Sequence, residues 1–179
     1  MKRLFIMVIF AISTMSMFAQ KIDKDIYRQD GSRTIISDDD EFKDDQSVCM
    51  IYEISKESMV LYKFIRFTIE DHGKMEAGRS LLIKFDDESV MELKNYINVY
   101  AHPVGSHWGA MCIQPMFAVT DEQLDTICNK NIVKLRFEQS DDIIDIKVKR
   151  NKLSKLIQRC RTDIETLLAK KKRDIHADF

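Results

Sequence analysis

The residues best suited to chemistry lie in one short stretch, 101–109, which contains His102, His107 and Trp108. An imidazole changes charge near neutral pH, and an indole offers a large apolar surface with one N–H donor, so these side chains could line a ligand pocket. Loops also carry function more often than the elements they connect. We therefore take His102, His107 and Trp108 as candidate ligand-binding residues. The more ordinary role for Trp108 is packing over an edge of the core.

The motifs indicate no metal site and no catalytic set. The two histidines could form half of a zinc site, but no Cys-x-x-Cys pair accompanies them. The acidic run from Asp38 to Asp45 lacks the spacing, the central Gly and the closing Glu of an EF-hand loop, which favours a solvated segment. There is no Gly-x-Ser-x-Gly turn, and Cys112 has the apolar neighbours of an ordinary strand residue. The sequence predicts no metal and no cofactor, and leaves any catalytic residue unknown.

The first nineteen residues have the features of a secretory signal peptide. Lys2 and Arg3 precede an apolar run that begins at Leu4, and a small residue, Ala19, stands before a polar stretch. We expect cleavage after Ala19, with Ser16 as the alternative site, and export to the periplasm or the cell exterior. The alternative is an uncleaved amino-terminal anchor.

Charge and length limit what the rest of the chain can be. Without Lys2 and Arg3 it has 26 basic and 29 acidic residues, a formal net charge of −3. Proteins that bind nucleic acid normally have a basic surface, so we expect no nucleic-acid partner. No second apolar stretch is long enough to span a bilayer, so we expect no transmembrane segment after cleavage. We divide the chain into a signal peptide (1–19), a polar, acidic lead-in (20–46) and a single α+β domain (47–179) that ends in a helix.

The four cysteines leave two possibilities open. An exported protein meets an oxidising compartment, where Cys49, Cys112, Cys128 and Cys160 could form disulfides in any of three connectivities. Each of them also lies inside an apolar pattern, and a buried thiol behaves as a small hydrophobic group. The sequence does not choose between these states.

Alternating apolar residues and turn signals predict a sheet-rich domain. Strands are predicted over 48–54, 59–70, 80–85, 90–100, 111–119, 132–138 and 143–148, with at most one edge strand in the lead-in. Thr120 and Gln123 form a capping box that predicts a short helix, and apolar residues from Leu153 to Leu168 recur with helical spacing. We expect an antiparallel sheet or partly closed barrel of about seven to eight strands, with the short capped helix and the amphipathic C-terminal helix packed on it.

Three segments resemble small uncharacterised exported proteins of Bacteroides-type bacteria: 117–124, 133–138 and the closing helix. The resemblance implies an envelope location and a sheet-plus-helix fold, and no activity. We expect a non-enzymatic ligand-binding or protein-interaction module of the cell envelope, with an envelope protein or a glycan as its partner. One alternative is a small hydrolase-like enzyme that uses the His102/His107 loop. The other is a structural subunit of an envelope assembly.

Overall fold

The computed structural model describes residues 22–43, 46–103, 110–149 and 151–177, and these ranges form fourteen strands and two helices. In chain order the strands are β1 (Ile22–Tyr27), β2 (Arg33–Ser37), β3 (Asp40–Lys43), β4 (Gln46–Ile54), β5 (Leu61–Glu70), β6 (Lys74–Met75), β7 (Ser80–Phe85), β8 (Val90–Lys94), β9 (Val99–Tyr100), β10 (His102–Pro103), β11 (Met111–Ile113), β12 (Met116–Ala118), β13 (Ile132–Glu138) and β14 (Ile143–Lys147). The helices are α1 (Asp121–Asn129) and α2 (Lys152–Ala177). The predicted signal peptide lies outside the described residues.

Two antiparallel sheets share one core. The larger sheet has eight strands and follows the order β1-β2-β4-β5-β11-β10, with β3 also paired to β4 and β12 to β5. The smaller sheet has the order β14-β13-β7-β8, and β6 and β9 form a separate pair. Phe67 of the larger sheet packs edge-on against Phe137 of the smaller one, with ring centroids 5.4 Å apart. The α+β fold with an antiparallel sheet is therefore confirmed.

The two helices close the core as the sequence predicted. Thr120 Oγ1 accepts from Gln123 N at 3.2 Å while Gln123 Oε1 accepts from Thr120 N at 2.9 Å, so the capping box satisfies two backbone N–H groups at the start of α1. Helix α2 contacts β2, β3, β4 and α1. Its buried stripe consists of Leu153, Ile157, Cys160 and Ile164.

Two predicted strands are interrupted by polar or proline residues. The strand expected over 90–100 splits at Asn95, which is 2% exposed and whose amide donates to the carbonyls of Met75 at 3.2 Å and Ile97 at 2.5 Å. Its Oδ1 accepts from Met116 N, so this side chain replaces ladder bonds that a continuous strand would make. The strand expected over 111–119 breaks before Met116, at Pro115, which has no N–H to donate.

The lead-in is more ordered than the sequence predicted. Its residues form β1, β2 and β3, where we expected at most one strand. Ile35 is fully buried and Phe42 is 2% exposed, and both belong to the main core. The polar composition concealed these strands because a few apolar side chains, such as Ile35 of β2 and Phe42 of β3, are enough to attach them to the core.

Candidate functional site

The smaller sheet has an apolar inner face and a cationic outer face. Side chains alternate along a strand, so Ile83 and Phe85 of β7 point into the core while Lys84, between them, points outward. On β13 a bulge between Ile132 and Lys134 shifts the alternation. Ile132 is therefore buried, whereas Val133 is only half-buried, and Lys134 joins Lys84 on the outside.

The register aligns three lysines in one row across three adjacent strands. Lys134 of β13 is paired with Lys84 of β7 on one side and with Lys147 of β14 on the other. Neighbouring strands lie about 4.8 Å apart, and like charges directly opposite each other destabilise a sheet. We call Lys84, Lys134 and Lys147 the lysine row. Like charges in register weaken strand pairing where no carboxylate compensates them.

A shallow groove runs beside the lysine row. Its volume is about 260 Å³, and it is lined by Leu82, Lys84, Val90, Lys134 and Arg136. Val90 is 59% exposed, although it is a large apolar residue, and it continues the lysine row onto β8 as the partner of Lys84. We call these five residues together with Lys147 the basic face. It combines an aliphatic strip with four cations.

Two carboxylates partly neutralise the basic face. Asp145 of β14 accepts from Arg136 through both oxygens, at 2.8 and 2.9 Å, and from Lys134 at 2.7 Å. The hydrogen bond from Arg136, reinforced by that from Lys134, holds the pKa of Asp145 well below its usual range, and Asp145 in turn raises the pKa of Arg136. Glu88, in the β7–β8 turn, pairs with Lys84 at 2.5 Å.

Lys147 differs from the other lysines of the row, since it forms no ion pair with a residue in the described ranges. Four cations against these two carboxylates give +2, and Lys94, Glu92 and Glu138, which the register places on the same outer face, reduce the formal charge of the whole face to +1. The face is therefore positive on a chain whose overall charge is negative.

A second groove, of about 410 Å³, lies along α2. Its lining combines one carboxylate and one ammonium group, Glu165 and Lys170, with Thr162, Thr166 and Ala169. Because the two charges cancel, this groove offers no preference for an anion or a cation. The basic face is the more selective of the two surfaces.

The structure describes one of the three predicted ligand-binding residues. His102 is exposed on the short strand β10, and its Nδ1 lies 3.1 Å from the carbonyl oxygen of Tyr100. His107 and Trp108 lie outside the described residues. Strand register places His102 opposite Cys112 and Cys112 opposite Glu70, in one row across three strands. Cys112 is only 3% exposed, whereas both of its neighbours in the row are exposed.

All four cysteines are thiols in the structure, and all lie within the described ranges. Burial raises the pKa of Cys49 and Cys128, and it raises that of Cys160 to about 11. Cys160 belongs to the buried stripe of α2, as its helical spacing predicted. Raised pKa values keep these thiols protonated and weakly nucleophilic at neutral pH.

Searches of the structure and of known proteins give no further assignment. No group of three or more His, Cys, Asp or Glu residues in the described part of the chain could hold a metal ion. Neither of the helices described is long and apolar enough to cross a membrane. No family model, no curated protein and no solved structure matches the chain. Evidence on function therefore comes from the geometry of the chain itself.

The basic face is not apparent from the sequence, because strand register brings its residues together. Lys84 and Lys134 are fifty positions apart along the chain, and nothing local predicts that β7 pairs with β13. The available signal was a lysine or arginine at each outward position in the middle of β13, Lys134 and Arg136. A cationic pair on an otherwise apolar strand indicates a charged sheet face.

Proposed function

We propose that the protein is an exported, non-enzymatic binding module of the cell envelope that holds an anionic partner on its basic face. The observation that carries the proposal is the lysine row, in which Lys84, Lys134 and Lys147 stand directly opposite one another. Asp145 and Glu88 compensate two of these cations, and a ligand that supplies negative charge would compensate the third, Lys147.

The kind of cation supports an electrostatic mode of binding. A lysine ammonium is a compact, hydrated point charge on a flexible stem, so three of them attract negative charge without demanding one planar geometry. Arg136, which could form a bidentate pair with a ligand, is already held in that geometry by Asp145. Leu82 and Val90 add apolar contact beside the charges. Binding should therefore weaken steeply as salt rises.

The first test measures retention on an anionic support. The mature protein, beginning at Gln20, is applied to heparin-agarose and to a neutral dextran resin, and the salt concentration at elution is recorded. A triple variant of the lysine row, with Lys84, Lys134 and Lys147 each changed to Gln, should elute from heparin at much lower salt than wild type. Neither protein should be retained on dextran.

A matched control separates the basic face from net charge. Lys24, Lys152 and Lys155 are exposed and lie on other elements, so changing all three to Gln alters the net charge by the same amount. This control should elute close to wild type. If the two triple variants lose retention equally while both remain folded by circular dichroism, the basic face is not a binding site.

Export needs its own measurement, because the basic face could act in any compartment. The intact mass of protein recovered from the envelope of its own host should correspond to a chain that begins at Gln20. A mass that begins at Met1 in the cytosolic fraction would contradict the envelope location and leave the binding proposal to the resin experiment.

A further inference from the structure

We infer that two copies of the protein associate through the free edge of β14, which pairs antiparallel with β14 of the second copy about a two-fold axis at Ile146. The two smaller sheets then form one continuous sheet. The inference goes beyond the proposed function and does not rest on it. The groove of the basic face is lined by residues of β7, β8 and β13, so it stays open in the pair.

The backbone of β14 is in position to bond to a further strand. β14 is the end strand of the smaller sheet within the described ranges. Val148 N donates to Val133 O at 3.0 Å, which identifies the positions of this segment that bond to β13. Because bonded positions alternate in an antiparallel pair, Ile146 also bonds to β13, whereas the N–H and C=O groups of Asp145 and Lys147 point to the free edge.

The side chains of β14 are complementary to each other in the proposed register. With the axis at Ile146, Asp145 of each copy lies opposite Lys147 of the other on the outer face. On the inner face the two Ile146 side chains meet, and Ile144 lies opposite Val148. No other symmetric register of β14 pairs opposite charges, because Asp145 and Lys147 are its only charged residues. Charge therefore selects this register.

The pairing gives Lys147 the ion pair that it lacks within the described part of one copy. Asp145 has room for this contact, since a carboxylate has about four acceptor sites. Three of them are used, two by Arg136 at 2.8 and 2.9 Å and one by Lys134 at 2.7 Å. The side chain of Asp145 is still 39% exposed. In the pair, Asp145 of the second copy supplies the negative charge that Lys147 would otherwise take from a ligand.

The other end strands do not fit a second copy in this way. β1 ends the larger sheet, and pairing it with itself about Lys24 would bring two lysines together and place Asp23 opposite Asp25. β8 ends the smaller sheet on the other side. However, Tyr96 N donates to Met116 O at 2.7 Å, so β12 already occupies one end of that edge.

A single pair of strands forms a small interface. Stable interfaces bury about 1,200–2,000 Å², and one five-residue strand from each copy provides less than that. We therefore expect a dissociation constant on the order of 0.1 mM. At the low micromolar concentrations of heparin chromatography and urea unfolding the protein is then a monomer, and those experiments measure a single copy.

The experiment is a charge exchange followed by sedimentation velocity. The mature protein is examined at low salt from about 5 µM to about 1 mM, a range that spans the expected dissociation constant. Lys147→Asp and Asp145→Lys each place like charges opposite one another in the pair, so each should weaken self-association about tenfold. An equimolar mixture of the two variants should form a heterodimer, because every Asp at these positions then lies opposite a Lys.

A second pair of variants controls for nonspecific attraction between oppositely charged proteins. Lys24→Asp and Glu57→Lys make the same changes in net charge at exposed positions of the larger sheet. Each should self-associate like wild type, and mixing them should give no additional association. Circular dichroism confirms that all four variants are folded.

Three results would overturn the inference. One is a wild-type protein that remains a monomer at the highest concentration. Another is self-association that neither β14 variant weakens, which would place the contact on a different surface. The third is a mixture of the β14 variants that associates no more tightly than either variant alone. None of these affects the proposed function, which the heparin experiment decides on the monomer.

Discussion

The two faces of the smaller sheet are formed by the same strands in the same register, but one carries buried apolar residues and the other carries charged residues. On the inner face Leu81, Ile83, Leu135 and Phe137 are each no more than 1% exposed and pack against the larger sheet and the helices. On the outer face the same pairings bring lysines together. The inner face stabilises the fold by burying apolar side chains, whereas the lysine pairs of the outer face do not contribute to that packing.

The neighbouring row on the outer face sharpens this contrast. One step along the strands from the lysine row, Asp145 is paired with Arg136, and opposite charges meet in a bidentate ion pair. The sheet can therefore place complementary charges opposite each other, and it does so next to a row that does not. This difference within one face supports the proposed binding role of the lysine row.

The largest change in the free energy of unfolding is expected from a substitution on the inner face. Phe137→Ala removes a ring that contacts Phe67 and Phe117, and should lower the free energy of unfolding by about 3–5 kcal/mol. Ile143→Ala, at a 54% exposed position of the same sheet, should cost less than about 0.5 kcal/mol. Urea unfolding of both variants measures the difference. Equal costs would mean that the inner face is not the core of this sheet.

The next largest effect distinguishes Leu82 and Ile83, which are adjacent in β7 but lie on opposite faces of the sheet. Leu82→Glu places a carboxylate in the groove of the basic face, where it should pair with Lys84 or Lys134 and greatly reduce retention on heparin while the protein stays folded. Ile83→Glu buries an unpaired charge in the core and should prevent folding. Size-exclusion chromatography and circular dichroism, followed by the heparin assay, distinguish the two outcomes. Unchanged retention of Leu82→Glu would contradict the role of the groove.

Local patterns predicted the inner face well and the outer face poorly, for a physical reason. The bounds of β7 and β13 and the capping box at Thr120 follow from alternation and from side-chain hydrogen bonding within a few residues. The interruption at Asn95 depends on carbonyls of Met75 and Glu76, about twenty positions away in the chain. The pairing of Lys84 with Lys134 in the lysine row spans fifty positions. Contacts of that range leave no local pattern in a sequence.

A smaller effect on heparin retention is expected from Asp145, the carboxylate in the row next to the lysine row. Asp145→Asn frees Lys134 and Arg136, so this variant should elute from heparin at higher salt than wild type. Glu57→Gln, which makes the same change in net charge at an exposed position in the β4–β5 turn of the larger sheet, is the control. An elution shift equal to that of the control would show that Asp145 does not restrain these two cations.

The same aspartate should give stability a defined pH dependence. Because Arg136 and Lys134 lower the pKa of Asp145 in the folded protein, its contribution is present above the unfolded pKa of about 3.9 and is lost as pH falls through the folded value. The difference in urea midpoint between wild type and Asp145→Asn should therefore be constant near neutral pH and shrink below about pH 4. A difference that grows in this acidic range would contradict the sign of the pKa shift.

The smallest effect is the most direct test of repulsion within the lysine row. Lys147 forms no ion pair with a described residue, so Lys147→Gln removes repulsion from Lys134 without breaking a favourable contact. The free energy of unfolding should rise by about 0.2–0.5 kcal/mol at low salt, and the gain should disappear near 1 M salt, where the screening length falls to about 3 Å. Lys147→Arg keeps the charge and should show no such gain. If Lys147→Gln destabilises the protein at every salt concentration, Lys147 stabilises the sheet through its packing, and the lysine row loses its status as an arrangement that folding alone does not favour.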